Sequence, residues 1–231
     1  MELRDALRTT PAVRSYTERQ IDDATIAAIL DDARFAPSGG NRQAWRVVVL
    51  KDPTTRRAVR DLYLEGIRLY VAQAARGLVP FNPFNDRALE TAAGEAAAAV
   101  PDEDNPLLDR FSLHLDEAPA LLLVLADLSA LATVDRDHGR YTFAGGASVY
   151  PFAWNILLAA RERGLGGVMT TMAIFRERQV LELIGAPEHF AVATLLALGE
   201  PRRQITKLRR GEVAGFCTID AFDGPALASP A

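Results

Sequence analysis

Cysteine is almost missing from this 231-residue chain: Cys217 stands alone. One thiol forms no intramolecular disulfide and supplies no cysteine-based metal site of the usual kind. Histidine is nearly as sparse. His114, His138 and His189 fall at no ligand spacing such as H-E-x-x-H, so no bound metal is expected. Positive charge is not in excess. The formal charge of -4 argues against a general nucleic-acid binder, because phosphate backbones attract a basic surface. Apolar runs are too short to span a bilayer, and Met1-Glu2-Leu3-Arg4-Asp5 is charged where a secretory leader would carry its apolar core. No repeat and no linker-like stretch divides the chain. The expectation is a soluble, cytoplasmic protein of one domain over residues 1–231, long enough to bury one sizeable core.

What is present is an alternation of helix and strand patterns. Ile26, Ile29, Leu30 and Ala33 mark a helical face after Asp22 and Asp23, whose charges suit a helix N-terminus. Arg46-Val47-Val48-Val49-Leu50 reads as a buried strand. Asp52-Pro53 opens a helix whose pattern runs through Val59, Leu62, Tyr63, Ile67 and Tyr70. Leu121 to Ala126 is continuously apolar, as a central strand buried on both faces should be. Gly145-Gly146 precedes an apolar helix through Val149, Phe152, Ile156, Leu157 and Ala160, with Gly164 at its C-cap. Val168-Met169-Thr170 and Phe190 to Leu198 read as strands, with a helix from Glu177 to Ile184 between them. Such alternation predicts an α+β, or α/β layered, domain. Two regions fit less simply. Residues 77–105 form a peripheral excursion, either a surface helical hairpin or a lid with Phe81 and Phe84 facing a ligand. The tail after Gly215 has no clear core pattern.

The richest stretch is Ala36-Pro37-Ser38-Gly39-Gly40-Asn41-Arg42-Gln43-Ala44-Trp45. Pro37 stops a helix and the glycines permit unusual backbone angles. A linker needs only to turn, yet this one displays a hydroxyl, two amides and a guanidinium. Its serine does not fit a nucleophile elbow, which needs a strand before it and a helix after it. Gly164-x-Gly166 lacks the third glycine of a dinucleotide fingerprint and follows a helix instead of a strand.

Pro-Ser-Gly-Gly-Asn-Arg-Gln-x-Trp resembles the nitroreductase family of FMN flavoproteins. Val13-Arg14-Ser15-Tyr16 near the start resembles it too, as does Gly199-Glu200-Pro201 followed by Lys207-Leu208-Arg209-Arg210 near the end. The likeness runs in order from about Arg8 to Val213. It implies a mixed central sheet flanked by helices in an intertwined homodimer. It implies FMN, with Arg14, Ser38, Gly40, Asn41, Gln43, Lys207 and Arg209 around the cofactor, the three cations at its phosphate. Gly164-Leu165-Gly166-Gly167 with Thr170-Thr171-Met172 resembles the segment beside the reactive edge of the flavin ring, which adds Thr170 and Thr171. The activity implied is an FMN-dependent oxidoreductase, passing a hydride from NADH or NADPH to a small electrophilic substrate such as a nitroaromatic or quinone. The alternative is a non-catalytic flavin-binding protein for storage or sensing. The flavin would carry the chemistry and no side-chain nucleophile is expected. Three departures stand out. Thr10, Pro11 and Ala12 occupy positions where many members carry an arginine-rich run. Ala44 replaces the usual proline. The segment after Gly167 lacks an acidic residue that some members carry.

Overall fold

Asp22 accepts a hydrogen bond from the Thr25 amide at 2.7 Å and so caps helix α2, Asp23–Ala33. Asp52 does the same for Thr55 ahead of Pro53, starting helix α3, Pro53–Ala75. The computed structural model describes residues 1–227. The last four residues of the tail singled out above lie outside the described residues. Within them the order is α1 (Leu3–Thr9), α2, β1 (Trp45–Leu50), α3, α4 (Arg87–Ala98), α5 (Arg110–Leu113), β2 (Ala120–Asp127), α6 (Tyr150–Glu162), β3 (Gly166–Thr170), α7 (Glu177–Leu183) and β4 (Phe190–Gly199).

The four strands form one sheet in the order β1-β2-β4-β3. Val47 faces Val124, Leu122 faces Leu196 and Val168 faces Ala197. Each of these ladders is antiparallel. The mixed character expected of the sheet is confined to one isolated parallel bridge, Ala12 beside Gly167. Strand β2 explains the layering. Its side chains alternate between faces, and both faces are covered. Leu122, Val124 and Ala126 pack with Ile29 of α2 and Phe152 and Ile156 of α6. Leu121, Leu123 and Leu125 pack with Val59 and Tyr63 of α3, Phe111 of α5 and Val180 of α7. The result is three layers, helix–sheet–helix, which is an α+β architecture.

The N-terminal segment after α1 is tied to the far end of the chain. Val13 N–H donates to the Gly167 carbonyl at 2.8 Å, and Thr17 N–H to the Glu200 carbonyl at 2.8 Å. Arg202 N–H returns to the Ser15 carbonyl at 3.0 Å. The Tyr16 ring lies where any side chain at residue 199 would sit, so only glycine fits there. The excursion over residues 77–105 forms a helical hairpin on α3: Ala93 and Ala97 of α4 pack against Ala72. Its outer anchor is the bidentate pair of Arg68 with Asp102, at 2.7 and 2.6 Å.

Candidate functional site

Arg14 is held in place by the hydrogen bonds of its neighbours, Val13 inward and Ser15 to Arg202. Between them Tyr16 fixes the segment's pitch. Its hydroxyl lies 2.6 Å from the Val13 carbonyl and 3.0 Å from the Ala197 carbonyl, and burial pushes its ionisation well above the usual tyrosine range. The Arg14 side chain remains exposed and faces a cavity of about 310 Å³. Thr170 and Thr171, at the end of β3, line the same cavity. The sheet end and the N-terminal segment therefore bring three of the expected residues together.

The remaining walls come from α3 and α5. Ile67, Val71, Phe111, Met169 and Met172 give apolar surface, and Tyr63, Ser112 and Asp109 give polar groups. The Tyr63 hydroxyl pairs with Ser112 Oγ at 3.3 Å, and burial raises its ionisation. Asp109 caps α5 by accepting from Ser112 N–H at 2.8 Å. Thr170 is anchored through its own carbonyl, which accepts from the buried Thr194 hydroxyl at 2.8 Å. The Met172 end is pressed against α3. Gly66 lies so close to the Met172 carbonyl that a Cβ there would overlap it.

A second cavity, about 550 Å³, adjoins the first and shares Tyr70, Thr171 and Met172 with it. Phe81, Tyr150 and Phe175 make it aromatic, and no charged side chain lines it. Phe81 faces Phe175 with ring centroids 6.0 Å apart. Its positive φ of 55° is held by Gln73, whose side-chain carbonyl accepts from Phe81 N–H at 2.7 Å. Phe84 behaves differently: it is 93% exposed and lines neither cavity. The excursion is thus a hairpin that lends one phenylalanine, Phe81, to a cavity wall.

The polar loop at residues 38–43 forms a short 3-10 turn, Gly39–Asn41. The strained angles fall on Gly40, Asn41 and Gln43, with φ of 61°, 53° and 51°. Asn tolerates this region better than most residues. Ser38 Oγ accepts from Gln43 N–H at 3.0 Å, which closes the loop on itself. Gly39 N–H donates to Ser148 Oγ at 3.0 Å, in the turn Ala144–Ser148 that leads into α6. That turn is pinned in its own right by Asp135, a buried residue that accepts from Phe143 N–H at 2.9 Å, Arg140 at 3.0 Å and Ala144 N–H at 3.3 Å. The Phe143 amide, then Arg140, hold the Asp135 carboxyl down to about 2. The loop thus sits on the α2/α6 side and lines neither of the two cavities. Trp45, the aromatic of the same motif, stacks on Phe152 at 4.6 Å and is part of the core. Lys207 and Arg209 are exposed. They follow Gln204, whose side-chain amide donates to the Thr9 carbonyl at 3.0 Å, so the segment departs from the end of α1. Neither lines a cavity that Arg14 lines.

Sequence reasoning missed Tyr63, Tyr70, Phe111 and Ser112 as site residues. Tyr63 and Tyr70 did leave a signal: they lie seven apart on one helical face, a spacing that reads equally well as core. Phe111 and Ser112 sit on a four-residue helix too short to show any period.

An antiparallel sheet between helical layers, with a cation and two threonines on one apolar-walled cavity, makes a candidate small-molecule site. The model of the nitroreductase family matches residues 7–200, and the chain belongs to that family. It is 27% identical to an NADH dehydrogenase of Thermus thermophilus, over 84% of this chain and 83% of that one. It is 28% identical to a 5,6-dimethylbenzimidazole synthase of Rhodospirillum rubrum, over 83% and 78%. Among solved structures, oxidised iodotyrosine deiodinase bound to FMN and 3-iodo-L-tyrosine superposes with a TM-score of 0.66, at 24% identity, covering 96% of this chain and all of that one. Among the described residues no helix is long and apolar enough to cross a membrane.

Proposed function

We propose that this chain is an FMN-dependent oxidoreductase that takes a hydride from NADH or NADPH and delivers it to a small electrophilic substrate of the nitroaromatic or quinone kind. The observation that carries this is the cavity joining Arg14 to Thr170 and Thr171 in a nitroreductase-family chain. An isoalloxazine ring is flat, with apolar faces and polar edges. The cavity has matching chemistry, apolar walls from Ile67, Val71, Phe111, Met169 and Met172 with hydroxyls and a guanidinium among them. When bound, FMN supplies the two-electron redox chemistry. Arg14, expected with Lys207 and Arg209 at the phosphate, lines the cavity without them and would offer its positive charge to the bound flavin from there. Thr170 and Thr171 offer hydroxyls and backbone groups. Ser38, Gly40, Asn41 and Gln43 offer polar contacts, and Lys207 and Arg209 the cations for a phosphate. The aromatic cavity beside Thr171, formed by Tyr70, Phe81, Tyr150 and Phe175, then suits a flat substrate.

These parts do not share one cavity within a single chain. That separation supports a homodimer in which the loop at 38–43 of one subunit completes the cavity of the other. The tail supports it as well. Phe216 and Phe222 are 75% and 101% exposed, apolar surface that a partner subunit would cover. The test is direct. Purified protein should be yellow, release FMN on denaturation, and bleach under NADH or NADPH without oxygen. Bound FAD, or no flavin after reconstitution with FMN, refutes the cofactor. Bound FMN that neither nucleotide bleaches refutes the enzyme in favour of storage or sensing. A flavin-loaded, active monomer in light scattering at micromolar concentration refutes the dimer.

A further inference from the structure

A further cavity stands apart from the two described above. It is a cleft of about 620 Å³ on the other side of Arg14, between the N-terminal segment and the turn after α5. Three arginines line it: Arg14, Arg110 and Arg202, together with His114. They arrive from three separate parts of the chain. Arg202 is positioned by its own amide, bonded to Ser15. Arg110 is the first residue of α5, whose N-terminus Asp109 caps.

Among the described residues, no ion pair includes Arg14, Arg110 or Arg202. Two carboxylates, Glu18 and Glu117, line the cleft as well, and among the described residues neither forms an ion pair with an arginine. Glu200 pairs with Arg19 at 3.0 Å and accepts from Thr17 at 2.7 Å, and Glu117 pairs with His114 at 3.1 Å. Three guanidiniums converging on one cleft without a carboxylate partner repel one another unless an anion joins them. Guanidinium is also the group best shaped for phosphate oxygens.

We infer that this cleft binds the phosphate-bearing end of the nicotinamide dinucleotide. The inference rests on the oxidoreductase reading above. Arg14 and Phe111 line both the cleft and the cavity with Thr170, so the two adjoin one another across these side chains. A dinucleotide is long enough to place its nicotinamide in one and its phosphates in the other. The 2′-phosphate of NADPH adds a dianion that NADH lacks, and three arginines favour the nucleotide that carries it.

Arg110→Ala and Arg202→Ala test this in the FMN-loaded protein, leaving Arg14 untouched. Each should raise the KM for NADPH roughly five- to tenfold at low ionic strength, where exposed charges are least screened. The KM for NADH should rise less and kcat should stay the same. 1-Benzyl-1,4-dihydronicotinamide donates the same hydride and has no phosphate, so its KM should not move. Equal rises for NADH and NADPH also support the inference, with the shared diphosphate as the contacted group. Unchanged KM for both dinucleotides overturns it. So does an equal rise for the truncated donor, which would mean a general disturbance. Weakened FMN binding with riboflavin binding intact would assign the arginines to the flavin phosphate and overturn it too. Flavin that the truncated donor cannot bleach would instead defeat the oxidoreductase reading itself, a separate result.

Discussion

Gly66 lies inside α3, where alanine would ordinarily stabilise a helix by about 1 kcal/mol. At this position the structure reverses the expectation. A Cβ on residue 66 would overlap the Met172 carbonyl oxygen and come within 3.1 Å of Phe175 Cβ. The carbonyl belongs to backbone in the 3-10 turn Met172–Arg176, and cannot rotate aside as a side-chain end can. Helix and turn must therefore separate. Arg176 resists, since its Nε bonds Glu65 of α3 at 2.6 Å. Overpacking of this kind costs about 1–3 kcal/mol and occasionally more. Set against the helix gain, Gly66→Ala should be destabilising by up to about 2 kcal/mol, lowering the thermal midpoint by up to roughly 8 °C for a chain of this size. Gly94→Ala in α4 is the control. Its new Cβ meets only the flexible end of Leu69, at 3.1 Å, so it should be neutral or raise the midpoint. The two glycines should thus give opposite signs in parallel thermal unfolding curves. Because Met172 and Thr171 line both cavities, Gly66→Ala should also weaken FMN binding in a fluorescence titration. If Gly66→Ala raised the midpoint as Gly94→Ala does, the close approach of α3 to the turn would be wrong.

Other predictions follow from the same contacts. Arg209→Ala and Lys207→Ala should each weaken FMN binding about tenfold and leave riboflavin, which lacks the phosphate, nearly unchanged; equal weakening in paired titrations would remove them from the phosphate. Tyr16→Phe removes the hydroxyl that holds the Arg14 segment and should cost about 1–2 kcal/mol in urea unfolding, with FMN affinity falling alongside; unchanged stability would contradict that role. Asp135 has a carboxyl held at about 2, below its ordinary 3.8, so its contribution is complete above pH 4 and fades as pH falls toward 2. The thermal midpoint of Asp135→Asn should accordingly trail the native protein near pH 6 and converge with it near pH 2, and a gap that persisted at pH 2 would refute the charge argument. Ser148→Ala should loosen the loop at Gly39 and weaken flavin binding without lowering the unfolding midpoint by more than a few degrees.

Much of the fold was legible because burial on two faces leaves a plain trace. The run from Leu121 to Ala126 admits few readings other than a central strand, and the caps at Asp22 and Asp52 use side-chain chemistry that acts within four residues. Pairing order left no such trace. Nothing local says that β3 lies beside β4, or that β1 reaches β2 across the whole of α3, α4 and α5. The site was legible only in part for the same reason. Arg14 and the loop at 38–43 carry polar groups outside helix and strand cores, and Thr170 carries one at a strand end, where a fold does not require them. Tyr63 and Tyr70 face the cavity from a helix whose apolar face also needs large side chains, so function and packing wrote the same pattern. Arg110 and Arg202 looked like ordinary surface charge. Only the lack of an ion pair among the described residues sets them apart from Arg19 or Arg68.

The hydrogen bonds joining residues 13–17 to residues 167 and 200–202 also set an order of events. Arg14 precedes every strand of the sheet, yet its position is dictated by β3 and by the end of β4, the last of the four strands in chain order among the described residues. Until these form, the N-terminal segment has nothing to pair with, and the Tyr16 ring has no Gly199 to lie against. Long-range pairing of this kind closes large loops and forms late. The cavity beside Arg14 is therefore finished only when the sheet is finished. A nascent or clipped chain ending before Gly199 would leave the Val13 to Tyr16 segment without its partners and the cavity beside Arg14 without its sheet wall.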